Sequence, residues 1–405
     1  MKKLEIVRQW MAEGKILHPL ERNPNIVDLM RTMMILCGYR EFKDTHWVKV
    51  LKQGLMGDVR RMRPCDHYVF VLIDGMGNNL SDFFPRGGFF DTYYVRELRS
   101  VFPSTTACAL TSLITGEWPG IHGLTGWFTY LPEIGKTAKI LPFVDRMNDA
   151  PLESCGADLS SLMPVKSRLS ALDREVCAVL PNTLRGSAYS TWAHGENQVI
   201  GYRSLSGGFQ AVAANVQNRS LPSFTFLYVP DVDTAQHEAG TSGAKVKRLV
   251  RAIDEALVKL KEAMPDNARL VVSADHGLVD VPENRRLHIH DGHPMLNYLE
   301  FVPSGEPATP IFHVREGQEH QFEDYFDTSF GSVMELLSIS DGEALGLFGP
   351  DGISPVTRRR LGNYVGISAD PFVMLYEAPG TEPLNHIAFH GGLQPQTMRV
   401  PLFVA

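Results

Sequence analysis

The sequence predicts an α/β protein, a three-layer α/β/α sandwich with a largely parallel central sheet and inserted cap regions. Three observations predict it. Tyr68-Val69-Phe70-Val71-Leu72-Ile73 is a continuous apolar run, which suits a central strand covered on both faces. Two runs resemble it, Phe224 to Val229 and Leu270 to Ala274, and each of the three leads into a turn bearing Asp or His. Between the second and third lies an amphipathic segment, Ala244 to Met264, with Val246, Leu249, Val250, Ile253, Leu257 and Leu260 on one helical face. Strand, helix and strand at this spacing make a parallel crossover. In open α/β sheets, ligand sites form beyond the carboxyl ends of the strands.

In chain order, residues 1–60 read as a peripheral helical extension, with apolar residues at helical spacing from Lys3 to Glu13 and from Ile26 to Leu36. The core is expected over 61–130, 186–282 and 369–405, ending in a strand from Val400 to Val404. Residues 131–185, punctuated by five prolines from Pro132 to Pro181, read as a cap insertion. Residues 283–368 read as a second, α+β insertion.

Composition narrows the function classes. A chain of 405 residues exceeds one ordinary hydrophobic core, and 44% hydrophobic with 21% charged residues is a globular balance. The formal charge of -7 argues against a nucleic-acid scaffold, and Arg358-Arg359-Arg360 reads as a solvated patch. Five scattered cysteines make no C-x-x-C pair, so neither a disulfide framework nor a cysteine–zinc site is expected. Charges at Glu5, Arg8, Glu13 and Lys15 break up the start of the chain, so no signal peptide is read there. No segment reaches the roughly 18 apolar residues of a membrane span, and the expected compartment is the reduced cytoplasm.

Four motifs and one histidine bear on chemistry. Asp74 ends the first apolar run, where an Asp before Gly also serves as a helix cap. Phe102-Pro103-Ser104-Thr105-Thr106-Ala107 precedes a helix-favouring run; a Ser/Thr cap is the plain reading. A hydroxyl placed there would also sit in positive partial charge beside free backbone N–H groups, which favours an attacking oxygen and an incoming phosphoryl group. Asp233 and His237, four apart on a helical turn, can share one ion. Asp275-His276 follows a strand directly, and His390 stands in a His-Gly-Gly turn. Three Asp, three His and one hydroxyl suit a pair of divalent cations: zinc by ligand type, with manganese also tolerated. Two such ions about 3.5–4 Å apart activate a hydroxyl and stabilise a leaving oxygen in line with it. His288, His290 and His293 read as a surface turn, His122 as a turn stabiliser, and Gly75, Gly77, Gly207 and Gly208 as turns without a phosphate-loop pattern.

Taken together, these residues resemble the alkaline phosphatase superfamily in its type I phosphodiesterase/nucleotide pyrophosphatase branch. The resemblance runs in order through Val71 to Gly75, Phe102 to Thr106, Thr115-Gly116, Pro119, His122-Gly123, Tyr228, Pro230, Asp233, His237, Gly240, Ser273 to Gly277 and His390-Gly391-Gly392. It implies one metal held by Asp233, His237 and His390, and a second held by Asp74, Asp275 and His276, with Thr106 Oγ towards it. Thr106, the third residue after the proline, matches the family's threonine, with Thr105 as the alternative. Where the nucleotide pyrophosphatases place an asparagine that binds a phosphoryl oxygen, this chain has Trp127, a bulky side chain with one donor. Arg168, Arg203 and Lys166 are candidates to replace it. The resemblance implies a hydrolase of small phosphorylated substrates, phosphodiesterase-like, acting through a covalent phosphothreonine. Phosphomonoesterase and phosphonate C–P hydrolase are the alternatives on the same metals, and a catalytically silent metal-stabilised binding protein is the alternative outside enzymes.

Overall fold

The computed structural model describes residues 2–21, 24–41, 55, 65–380 and 384–405. Most of the second half of the expected N-terminal extension therefore lies outside the described residues. Among those described, seven strands form a central sheet: β1 (His67–Ile73), β2 (Tyr94–Arg99), β3 (Glu175–Pro181), β4 (Gln198–Tyr202), β5 (Ser223–Val229), β6 (Ala268–Ser273) and β7 (Arg399–Val404). Their order is β2-β7-β6-β1-β5-β3-β4. β7 runs antiparallel to both neighbours, and the pairings from β6 across to β4 are all parallel. β1 and β5 are buried at every position, as expected for strands covered on both faces.

Register positions the site. Ile73 pairs with Val229 on one side and Leu72 with Ser273 on the other, so β5, β1 and β6 end at one level. The chain leaves all three there, and Asp74, Asp233 and Asp275 follow within a few residues of those ends.

The helices covering the sheet obey the sequence pattern. The last of them, Ala244–Ala263, buries Val246, Val250, Ile253, Leu257 and Leu260 along one stripe. The N-terminal extension departs from its peripheral reading. α1 (Lys2–Ala12) is half-buried or exposed at every position but one, and that one, Val7, enters a cluster with Leu337, Val365 and Phe102. α2 (Ile26–Leu36) is buried from Ile26 through Met34 and packs behind α3 (Thr106–Thr115). Its Arg31 donates from Nε to Gly116 O at 2.6 Å and from Nη2 to Glu117 at 3.1 Å, fastening the far end of α3. Three polar residues, Asp28, Arg31 and Thr32, hid this, because they are buried with partners of their own.

The insertion boundaries also move. Strands Phe128–Leu131, Lys136–Lys139 and Val144–Asp145 join Ser304–Glu306, Thr309–Phe312, Glu335–Ser338 and Tyr364–Ile367 in one antiparallel second sheet. Two stretches read as separate insertions thus share a single sheet. β3, expected inside the 131–185 cap, lies instead in the central sheet beside β5. Val373–Tyr376, expected in the resumed core, pairs with Arg286–Ile289. Pairing between distant segments decides these points, and short strands carry no local mark of their partner. No helix among the described residues is long and apolar enough to cross a membrane.

Candidate metal centre

Each side chain of the centre is aimed by a local backbone device. Gly75 turns the chain after Asp74 with φ +71°, and a Cβ there would lie 2.7 Å from the Cα of Asp233. Only glycine permits both the turn and that approach. It lets α6 (Asp231–Ala239), which follows α4 (Ala188–His194) and α5 (Leu205–Gln217), begin against β1. There Asp233 N donates to Asp74 O at 3.0 Å. Asp275 Oδ1 accepts from Gly75 N at 3.1 Å and from His276 N at 2.9 Å, which turns its other oxygen inward. His390 follows the short strand Ala388–Phe389, which pairs with Val279–Asp280 a few residues beyond His276.

The histidines are poised for cations. His237 Nδ1 lies 2.8 Å from Ala388 O; a carbonyl only accepts, so Nδ1 donates. Its Nε2 faces Asp233 Oδ2 at 3.3 Å, and although burial opposes it, that contact raises the imidazole above its ordinary pKa. His276 likewise has Nδ1 3.3 Å from Gly277 O. Its Nε2 lies 3.1 Å from Thr106 Oγ1, 3.4 Å from Asp275 Oδ2 and 3.5 Å from Asp74 Oδ1. His390 Nε2 is 4.0 Å from Asp233 Oδ1, and its ring centroid is 4.2 Å from that of His276.

Potential ligand atoms gather in two groups, Asp233–His276–His390 and Asp74–Asp275–His276, with the atoms of each within 4.8 Å of one another. His276 belongs to both. His237 stands on the outer side of Asp233, beside the first group. All seven residues proposed from the sequence thus converge at the ends of β1, β5 and β6.

The donor set fits cations on physical grounds. Asp74 Oδ1, Asp233 Oδ1 and Asp275 Oδ2 are buried without a hydrogen-bond partner, and the ion-pair partners of the three carboxylates are histidines, not lysines or arginines. Burial, then the charges of Asp275 and Asp233, pushes the Asp74 carboxyl well above its ordinary range. Burial also raises Asp275. Burial and neighbouring imidazoles hold His390 well below the usual histidine value. Asp233 is lowered despite its burial, through His237. Carboxylates crowded together in low dielectric call for positive charge, and the imidazole nitrogens beside them are of the type that shares a divalent cation with carboxylates.

Thr106 is the first residue of α3, with Thr105 in the cap position. Its Oγ1 is 3.5 Å from Asp74 Oδ2, an oxygen that also accepts from Tyr228 OH. Thr105 is fully buried one residue back. Trp127 lines a cavity of about 600 Å³ together with Asp74, Thr106 and Asp233. Arg168, Arg203 and Lys166 do not line it. Arg168 is paired with Glu117 behind α3, while Arg203 and Lys166 are exposed.

Glu306 escaped the sequence reading. It reaches the centre from the second sheet, is 3% exposed, accepts from Trp127 N and places Oε2 4.0 Å from His390 Nδ1. Gly391, at φ +97°, makes room for it; a Cβ there would lie 2.7 Å from Glu306 Cβ. Nothing around Ser304-Gly305-Glu306 marks it as functional, because its importance comes from a pairing made across the fold. His386, whose ring centroid is 4.0 Å from that of His237, was also missed. His288 and His290 pair with Glu377, and His293 caps the turn at Pro294–Tyr298. His122, bonded to Ser112 Oγ at 3.0 Å and accepting from Leu124 N at 3.2 Å, secures the turn after α3.

The type I phosphodiesterase / nucleotide pyrophosphatase family matches this chain over residues 69–392. The chain belongs to that family. The family, within the alkaline phosphatase superfamily, is one of hydrolases acting on phosphoric ester bonds. Among its curated members, mouse ectonucleotide pyrophosphatase/phosphodiesterase family member 3 is 24% identical over 212 residues, half of this chain and 23% of that protein. The rat protein is 22% identical over 213 residues, again 50% of this chain and 23% of that protein. The chain thus spans about a quarter of the length of these relatives. Murine ectonucleotide pyrophosphatase/phosphodiesterase 5 shares the fold, with TM-score 0.59 and 15% identity over 83% of this chain and 87% of that one. Phosphonoacetate hydrolase from Sinorhizobium meliloti shares it with TM-score 0.58 and 16% identity, over 83% and 89% of the two chains.

Proposed function

We propose that this chain is a two-metal hydrolase of small phosphodiesters that acts through a covalent phosphothreonine on Thr106. One observation carries the reading. A threonine hydroxyl at the first residue of a helix lies 3.1 Å from His276 Nε2, at the junction of two ligand groups whose carboxylates lack counter-charge. Asp233, His237 and His390 would hold one cation; Asp74, Asp275 and His276 would hold the other. Zinc fits these nitrogen and oxygen donors, and manganese tolerates them. Divalent cations in such a site supply positive charge to the attacking and leaving oxygens of an in-line displacement.

The chain's own residues do the rest. Thr106 Oγ1 releases its proton to solvent as it forms the bond to phosphorus; the bond to the leaving oxygen breaks on the opposite side, and that oxygen takes up a proton from solvent. The free N–H groups at the start of α3 face the charge that develops on the phosphoryl oxygens. Tyr228, donating to Asp74, holds that carboxylate in place. Water then displaces Thr106 from phosphorus and restores the hydroxyl. The murine structural relative is known as an inactive threonine-to-alanine variant in complex with AMP, which supports a threonine nucleophile and a phosphorylated small-molecule ligand.

Changing Thr106 to Ala tests the proposal. Bound metal, measured by mass spectrometry, should be retained, while turnover of bis(p-nitrophenyl) phosphate falls by at least about a thousandfold, as for loss of a covalent nucleophile. Turnover within tenfold of the parent would refute the assignment. The likeness to phosphonoacetate hydrolase supports a second reading, C–P cleavage on the same metals. A panel of aryl phosphodiester, aryl phosphomonoester and phosphonoacetate separates the two. Bound metal with no turnover of any of them would point to a silent binding protein.

A further inference from the structure

We infer that the ester group held beside Thr106 is uncharged and mainly apolar, with room for uncharged hydrogen-bonding groups, so that the preferred substrates are phosphodiesters of apolar alcohols; this rests on the hydrolase reading above. The cavity of about 600 Å³ that opens on Thr106 is the size of an ordinary small-molecule pocket. Its charged lining residues are Asp74 and Asp233, which belong to the metal centre. Among the described residues, no lysine or arginine lines it.

The walls are apolar for a reason visible in α3. Leu110 and Ile114 follow Thr106 at intervals of four, so the helix that presents the nucleophile extends an apolar stripe beneath it. Phe226 of β5 and Leu180 of β3 face them, and Leu141 and Trp127 complete the wall. A carboxylate or a second phosphate placed here would lose its water without gaining a cation, whereas a ring or alkyl chain gains from the burial.

Apart from the two aspartates, the polar side chains that line it are uncharged, with Thr183, Ser187, Ser190, Thr234 and His194 among them. His194, the last residue of α4, has Nδ1 buried with no partner, and its ring lies 6.2 Å from that of Phe226. Burial keeps this imidazole neutral, with its pKa lowered to about 4. Ser190, one helical turn earlier on α4, lines the same cavity. A neutral imidazole and a hydroxyl match a hydroxyl, ether or carbonyl on the substrate, not an anion.

The test holds the leaving group constant. A series of p-nitrophenyl phosphodiesters whose second ester group is methyl, phenyl, 2-carboxyethyl or thymidine-5′-yl is compared by kcat/KM. The phenyl ester is expected to exceed the carboxyethyl ester by at least tenfold and to exceed the methyl ester. Leu110→Lys should lower the ratio of phenyl to carboxyethyl by at least tenfold, with folding checked by circular dichroism. Binding provides a readout apart from turnover. Calorimetry on metal-loaded Thr106→Ala protein should show benzylphosphonate binding at least tenfold more tightly than phosphonoacetate. Turnover of the series with the carboxyethyl or thymidine ester preferred, or tighter phosphonoacetate binding, would overturn this inference alone. No turnover of any member would overturn the hydrolase reading and this inference with it.

Discussion

The two sheets of this protein solve different problems. The central sheet is parallel through most of its width and buried on both faces, and its strand ends deliver Asp74, Asp233, Asp275 and His276 to one place. The second sheet is antiparallel, is assembled from segments far apart in sequence, and delivers a single carboxylate, Glu306, behind His390. The first sheet supplies charge to a reaction. The second places a buried carboxyl beside one of the groups that bear it. That difference teaches where damage should be severe and where it should be graded.

The largest effect is expected at the strand ends. Asp233→Ala should reduce bound metal from two ions to about one and lower diester turnover by at least about a hundredfold, the scale of losing a preorganised charge partner at a reacting centre. Full metal occupancy in that variant would break the comparison.

A graded effect is expected from the second sheet. Burial raises the Glu306 carboxyl to about 7; Glu306→Gln keeps the volume and can still accept from Trp127 N, but it removes the ionisable carboxyl facing His390. Metal affinity, measured by competition with a chelator, should fall by about 10–100-fold, as for other partners of ligand histidines. An unchanged affinity would make Glu306 a strut of the second sheet alone.

The smallest effect concerns stability, and it touches both regions. Burial lowers His122, His194 and His313 from 6.5 to about 3, 4 and 3 respectively, so all three are neutral when folded. Their native pKa values lie below the unfolded ones, so their contribution is complete above pH 6.5 and is lost as pH falls towards 4. Near pH 4.5 each should cost about 2–3 kcal/mol, two pH units of unequal proton binding. His313→Gln reports on the second sheet and His194→Gln on the central one. Chemical denaturation of each variant from pH 7 to 4.5 should show a shallower loss than the parent, and an equally steep loss would refute the account.

Much of the centre was legible in sequence because each of its residues sits next to a strong local signal. Asp74 ends an unbroken apolar strand, Asp275-His276 ends another, and Asp233 with His237 keeps helical spacing after a third. These signals are short-range, so no knowledge of partners was needed to read them. Glu306 had none: Ser304-Gly305-Glu306 is a three-residue strand whose meaning depends on pairing with Thr309–Phe312 and on the space above Gly391. α2 was misplaced for a related reason. Its buried Asp28, Arg31 and Thr32 look like surface residues until their partners are known.

What the sequence determined by itself is the parallel crossover core and the carboxylate and imidazole side chains at its strand ends, because hydrophobic period and side-chain identity are properties of local segments. Tertiary structure decided which nitrogen of each histidine faces inward, that His276 stands in both ligand groups, and that no lysine or arginine among the described residues lines the cavity beside Thr106. Those outcomes depend on register and on packing between segments hundreds of residues apart, and a side chain's charge or polarity does not encode what will be buried against it.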